Sequence, residues 1–157
     1  MIVAVTYENG KVFQHFGHTK QLKIYDIEDN NIKQERIIEV NENGHGALVE
    51  LLSNNEVQIL ICGGIGSGAK EGLEKANIKF YSGVLGDADN AVKNLLNKKL
   101  KIIIENCPQN HKCPAVKVCP VGALSQKDFE APKIDYDKCI KCGKCSNFCP
   151  KKALVLD

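Results

Sequence analysis

Val57-Gln58-Ile59-Leu60-Ile61-Cys62-Gly63-Gly64-Ile65-Gly66-Ser67-Gly68-Ala69 is the stretch on which the fold turns. Val57 to Cys62 is a short apolar run, the mark of a strand covered on both faces. A glycine-rich turn comes next, and Ala69 to Ala76 then reads as a short helix. A buried strand that ends in a glycine turn and feeds a helix is a building unit of α/β folds.

The same grammar extends in both directions. Upstream, Ile2-Val3-Ala4-Val5 is a second apolar run, read as a central strand, and Asn9-Gly10 is a hairpin signal after which Val12-Phe13 continues. Leu22 to Ile27 alternates at period two, Asp29-Asn30-Asn31 turns the chain, and Ile32 to Val40 returns as the second arm of a hairpin. Gly46 to Ser53 places Ala47, Leu48, Leu51 and Leu52 at helical spacing. Downstream, Ile78 to Tyr81 is a further strand, and Ala88 to Asn97 is a helix with Ala91, Val92, Leu95 and Leu96 on one face. These elements predict an α/β layer fold with a mixed sheet. Leu100 to Glu105 either adds a strand or connects to the cysteine region, so a first domain is expected over 1–105 and a second over 106–157.

Several chemistries are excluded. Gly64-Ile65-Gly66-Ser67-Gly68-Ala69 satisfies the dinucleotide pattern G-x-G-x-x-A, but that fingerprint needs an acidic residue about 20 positions on. Ile78 to Ser82 supplies none, and early hairpins do not make a βαβ start. The glycines can still turn helix-terminus amides towards an anion. No Ser/His/Asp order, paired-carboxylate motif or nucleotide P-loop is present, and a non-catalytic protein is expected.

Seven of the eight cysteines lie between Cys107 and Cys149. Cys139-x2-Cys142-x2-Cys145-x3-Cys149-Pro150 is the spacing with which bacterial-type ferredoxins hold iron–sulfur clusters. Thiolates are soft ligands suited to iron in a sulfide cluster, whereas structural zinc sites usually split into two separated pairs. Cys119-Pro120-Val121-Gly122-Ala123-Leu124 repeats thirty residues later as Cys149-Pro150-Lys151-Lys152-Ala153-Leu154, with proline at the start of a short helix each time. The repeat resembles the pseudo-two-fold of a bacterial ferredoxin. That resemblance implies that the Cys-Pro cysteine of one half completes the cluster of the other. Cys119, Cys139, Cys142 and Cys145 then hold one [4Fe–4S] cluster. Shifted back by thirty, Cys139, Cys142 and Cys145 meet Gln109, Lys112 and Ala115, none of which replaces a thiolate. Cys107, Cys113 and Cys149 remain, and the region resembles seven-iron ferredoxins, whose first half also keeps fewer cysteines. The three are expected to hold a second cluster, [3Fe–4S], or [4Fe–4S] with His111 or an external ligand on one iron. Free thiols are the alternative.

Met1-Ile-Val-Ala-Val has neither a basic start nor a cleavage site, and no apolar run reaches the roughly 18 residues of a membrane span. A cytoplasmic, reducing and anaerobic setting is expected, without membrane contact. The first 105 residues are mildly acidic and the remainder is basic. Lys138, Lys141, Lys144, Lys151 and Lys152 form a solvated rim or a docking face for an acidic redox partner. No aromatic–basic interleaving supports nucleic-acid binding.

His15-Phe16-Gly17-His18, Leu22-x-Ile24-Tyr25-Asp26, Gly44-His45-Gly46, the Ile61–Ala69 glycine turn and Val84-x-Gly86 together resemble the dinitrogenase iron–molybdenum cofactor biosynthesis family (NifX type) over about residues 1–100. The resemblance implies a ribonuclease-H-like mixed-sheet domain without nuclease activity, followed here by a small α+β ferredoxin-like iron–sulfur domain. It also implies transient binding of an iron–sulfur or molybdenum–iron–sulfur cofactor. The residues placed to bind it are His15, Phe16, Gly17, His18, His45, Cys62, Gly63 and Gly64. Imidazoles can ligate iron or hydrogen-bond to sulfide, and glycine backbone admits a bulky ligand. For Cys62 a small core residue is the competing reading. The expected function is a metal–sulfur cluster carrier with a ferredoxin module for electron delivery or cluster transfer. The alternatives are a ferredoxin-type electron carrier whose α/β domain docks a partner, and a redox or iron sensor. Partners are then a redox enzyme or a metallocluster assembly protein, with the oligomeric state open.

Overall fold

The computed structural model describes residues 1–42 and 44–157. The chain divides into two compact units, Met1–Leu96 and Asn97–Asp157.

In the first unit, strand β1 (Ile2–Glu8) is central, and Val3, Ala4 and Val5 are fully buried. Asn9 and Gly10 both take positive φ, at 51° and 84°, and turn the chain into β2 (Lys11–Val12) with Glu8 opposite Lys11. Two left-handed residues are what a two-residue hairpin loop requires. Strand β3 (Gln21–Glu28) lies antiparallel to β1. A second such loop, Asp29 and Asn30 with φ 49° and 63°, leads into β4 (Asn31–Glu39). β4 is an edge strand, largely exposed and rich in charge, which protects the sheet from unwanted pairing. Helix α1 (His45–Asn54), strand β5 (Ile59–Ile61), helix α2 (Ser67–Lys75), strand β6 (Lys79–Tyr81) and helix α3 (Ala88–Asn97) complete the unit. The strand order is β4-β3-β1-β5-β6, with β2 on β1; β1, β5 and β6 run parallel. The mixed α/β architecture read from the sequence is present.

Alternation along the strands divides the core. Ala4, Leu22, Ile24 and Leu60 face Leu48 and Leu52 of α1 and Ala69 and Leu73 of α2. Helices α1 and α2 pack together at Gly72, where a Cβ would just contact the Val49 side chain at 3.4 Å. Helix α3 is tied to β3 and the adjoining turn by Tyr25–Asp89, Lys23–Asp89 and Asn30–Leu96 hydrogen bonds.

In the second unit, strand β7 (Leu100–Ile102) is followed by helix α4 (Ala115–Val118), strands β8 (Leu124–Ser125) and β9 (Lys133–Ile134), helix α5 (Lys144–Phe148) and strand β10 (Leu154–Leu156). β8 pairs with β9, and β7 pairs antiparallel with β10. Leu100–Ile102, assigned from sequence to the end of a 1–105 domain, is therefore a strand of the second unit. Its register partner lies more than fifty residues downstream, where local pattern does not reach. Leu100, Ala115, Leu124, Cys145 and Leu154 form this unit's small core.

Candidate metal centres

Helices α4 and α5 each end at a Cys-Pro, so the prolines follow a helix rather than start one as the sequence suggested, and the two halves of the second unit carry their cysteines into two separate cavities. One is lined by Cys119, Cys139, Cys142 and Cys145, with Leu100, Leu124 and Leu156 among its apolar neighbours. The other is lined by Cys107, Cys113 and Cys149, together with Gln109, His111 and Gln126. Each half thus sends its Cys-Pro cysteine into the other half's cavity. Among the described residues no three His, Cys, Asp or Glu side chains close on a point that suits a single ion. The four thiols around the first cavity match the four-cysteine ligand set of a [4Fe–4S] cluster.

The thiols differ in their electrostatics. Burial pushes the Cys145 thiol up to about 11, and the neighbouring Cys142 adds to the rise. Burial also raises Cys139, more than the Lys141 backbone N–H lowers it. At Cys139 and Cys145 burial thus favours the thiol over the thiolate, so metal binding there is coupled to proton release. Cys149 differs. Burial works against its thiolate, but backbone N–H groups of Ala153, Leu154, Lys151 and Lys152 hold it below the usual thiol value. In the other half, Ala123 N–H donates to Cys119 Sγ at 3.2 Å.

The two cysteine loops correspond with an offset the sequence repeat hides. Gln109 and Lys141 both take positive φ, 49° and 58°, and stand thirty-two residues apart, as do Cys107 and Cys139, and Cys113 and Cys145. Two extra residues between Cys113 and Cys119 change the offset to thirty at the Cys-Pro pair. Asn110, not Lys112, therefore stands where Cys142 stands in its sister loop. Gln126 organises the three-cysteine loop: its Oε1 accepts from Cys113 N–H at 2.7 Å, and its Nε2 donates to the carbonyls of His111 and Glu130. Sequence reading missed Gln126, and nothing local to it signals the role.

In the first unit the candidate residues divide into exposed positions and their support. The segment after β2 lies beside the glycines that succeed β5: His15 bridges to Gly64, Phe16 N–H donates to the Gly64 carbonyl at 3.0 Å, and Gly64 N–H donates to Gln14 O at 2.7 Å. Gly63 permits this approach, since a Cβ there would lie 2.5 Å from Gln14 Cα. The Gln14 amide donates to Val12 and Val84 carbonyls and Thr6 Oγ1 donates to Phe13 O, which fixes the segment. A short 3-10 turn (Phe16–His18) comes next and packs against α1. Phe16 is 1% exposed and plugs the core, leaving His15, Gly17 and His18 outside. His45 is exposed at the start of α1, with its Nε2 3.4 Å from where a Gly68 Cβ would be. Neither α1 nor α2 has a side-chain cap on its first N–H groups. His15 thus lies beside Gly64, in the glycine turn after β5, and His45 beside Gly68, in the first turn of α2, while His18 is exposed in the 3-10 turn that packs against α1.

Phe16, Cys62 and Gly63 are corrected from ligand-facing to supporting positions. Cys62 is fully buried among apolar side chains, and burial pushes its thiol up to about 11 despite nearby Lys70. An inert, protonated thiol in a core is the outcome packing favours.

The family profile described as dinitrogenase iron-molybdenum cofactor matches residues 1–98. The chain belongs to this family. A 4Fe-4S binding domain profile matches residues 132–155, and the second unit is a ferredoxin-type module that binds a [4Fe–4S] cluster. Among relatives of this cofactor-family chain, an uncharacterized protein MJ0580 of Methanocaldococcus jannaschii is 30% identical over 106 residues, covering 64% of this chain and 90% of its own. The crystal structure of PH0822 is 28% identical with a TM-score of 0.58, covering 61% of this chain and 88% of that one. A selenate reductase subunit of Mesobacillus selenatarsenatis is 43% identical over 51 residues, 32% of this chain but 18% of that subunit. The chain spans about a fifth of the length of the redox subunits it matches. These similarities support an iron–sulfur electron-transfer or cofactor-related role. No helix among the described residues is long and apolar enough to cross a membrane.

Proposed function

We propose that this chain is a non-catalytic metallocluster-handling protein. Its first unit, read as a ribonuclease-H-like fold from the antiparallel β1, β3 and β4 followed by the parallel β5 and β6, takes up an iron–sulfur or molybdenum–iron–sulfur species at His15, His18 and His45. Its second unit holds a resident [4Fe–4S] cluster on Cys119, Cys139, Cys142 and Cys145, and a second cluster on Cys107, Cys113 and Cys149. The carrying observation is the set of exposed histidines around the glycine turn after β5 and the start of α1. Three of the chain's four histidines are exposed beside glycine backbone and two uncapped helix starts. That combination offers metal ligands, room and amide N–H groups to an anionic cluster. The resident clusters supply one-electron chemistry when bound, and the partners are a cluster assembly protein or a redox enzyme in the cytoplasm.

The test is uptake by the full chain with its cysteine sites already loaded, without oxygen, offered a preformed iron–sulfur cluster or iron–molybdenum cofactor. Additional iron or molybdenum co-eluting with the chain supports the reading. Binding about tenfold weaker, or about 1.4 kcal/mol, is expected for His18→Ala and His45→Ala. No additional metal supports the second reading, an electron carrier whose first unit docks a redox enzyme or acts as a sensor. The match to a reductase subunit favours that alternative.

A further inference from the structure

The three-cysteine cavity is one ligand short of four, and its loop shows what stands in the gap. At the position equivalent to Cys142 the chain carries Asn110. Asn110 does not line the cavity, but its neighbour His111 does. The two side chains are joined: Asn110 Oδ1 lies 2.8 Å from His111 Nδ1. An amide oxygen can only accept, so Nδ1 carries the hydrogen and the imidazole lone pair falls on Nε2. Metal-bound histidines are oriented by this kind of bond from the second ring nitrogen to an oxygen. The backbone is held as well, because Gln126 Nε2 donates to the His111 carbonyl at 3.1 Å while its Oε1 binds Cys113 N–H.

We propose that His111, through Nε2, is the fourth protein ligand of the second cluster, making it a Cys3His [4Fe–4S] site with Asn110 as its positioning residue. This rests on the reading that Cys107, Cys113 and Cys149 hold a cluster. A neutral imidazole in place of an anionic thiolate leaves the cluster less negative, and histidine ligation raises cluster potentials. The second cluster is then the easier of the two to reduce, and electrons run to it from the all-cysteine cluster.

The experiment uses the full chain, reconstituted without oxygen with iron and sulfide and labelled with 15N-histidine. Pulsed EPR of the reduced protein is expected to show a nitrogen bound directly to a cluster, and His111→Ala to abolish it. His111→Ala should also lose one iron per chain and show a three-iron signal when oxidised. His111→Cys should keep the iron and lower the potential of the second cluster. Asn110→Ala should keep the nitrogen coupling and lose iron to a chelator about tenfold faster. His111 and Asn110 are exposed, so these variants keep the fold. A second cluster without nitrogen coupling, or with iron unchanged in His111→Ala, overturns the histidine ligand and leaves the three-cysteine site standing. A wild-type chain with only the first cluster's iron removes both.

Discussion

Lys23 is a charged side chain that the sheet buries, 8% exposed in the middle of β3. Burial alone would push its ammonium down, but Asp89 at 2.7 Å and Glu35 at 3.5 Å hold it above the ordinary lysine value. Asp89 also accepts from Tyr25 Oη at 2.6 Å, and these two donors hold its carboxyl below 3.8. A carboxyl with a lowered folded value contributes stability that is present above 3.8 and is lost as pH falls through the lower folded value. Lys23, raised, contributes stability below 10.5 that is lost as pH climbs through its higher folded value. Asp89→Asn is therefore expected to lower the Tm of the first unit by a few degrees at neutral pH and to flatten its acid limb. The half-exposed carboxylate keeps the effect small. Thermal melts followed by circular dichroism across the acid range check this. Gly63→Ala should lower stability by about 1–3 kcal/mol, read as a shift in denaturant midpoint, because the new Cβ would meet Gln14 backbone. At this scale the sequence was legible where residue chemistry is local. Asn9-Gly10 and Asp29-Asn30 announced their turns. Phe16 and Cys62 were not legible, because an aromatic in a glycine loop and a cysteine ending a strand look alike whether they face inward or outward.

Among the elements, β7 is where pattern and pairing part. Leu100-Lys101-Ile102 carries no mark of its partner, which is β10 at Leu154–Leu156. Fragment 97–157 is expected to fold and hold iron, whereas fragment 106–157 loses the β7–β10 pair and does not. The iron-to-protein ratio after anaerobic reconstitution separates them. The cysteine run was legible because cluster ligation constrains spacing tightly. The sister loop was not, because two extra residues ahead of Cys119 shift the repeat from thirty-two to thirty. Matching by Cys-Pro alone aligned Lys112 with Cys142, while the left-handed Gln109 and Lys141 align Asn110 with it. Gln126 and the His45–Gly68 approach were likewise beyond reading, since each joins segments distant in sequence.

For the whole chain, two units with separate cores predict separable stabilities. The first rests on an apolar sheet covered by helices, and the second on a small core that includes Cys145 itself. Small metal-bound domains draw their folding free energy from the metal. Removing iron with a chelator should melt the second unit and leave the first intact, seen by calorimetry as one transition lost and one retained. Loss of both together would show the units to be a single cooperative body. The central claim is that one chain keeps resident clusters and hands on a guest. The direct measurement loads the first unit with a 57Fe-labelled cluster on a chain whose cysteine sites carry natural iron, then adds an apo acceptor protein. The account predicts that 57Fe moves to the acceptor while natural iron stays with the chain. Transfer of natural iron in proportion, or failure of the chain ever to take up 57Fe beyond its cysteine sites, would contradict it.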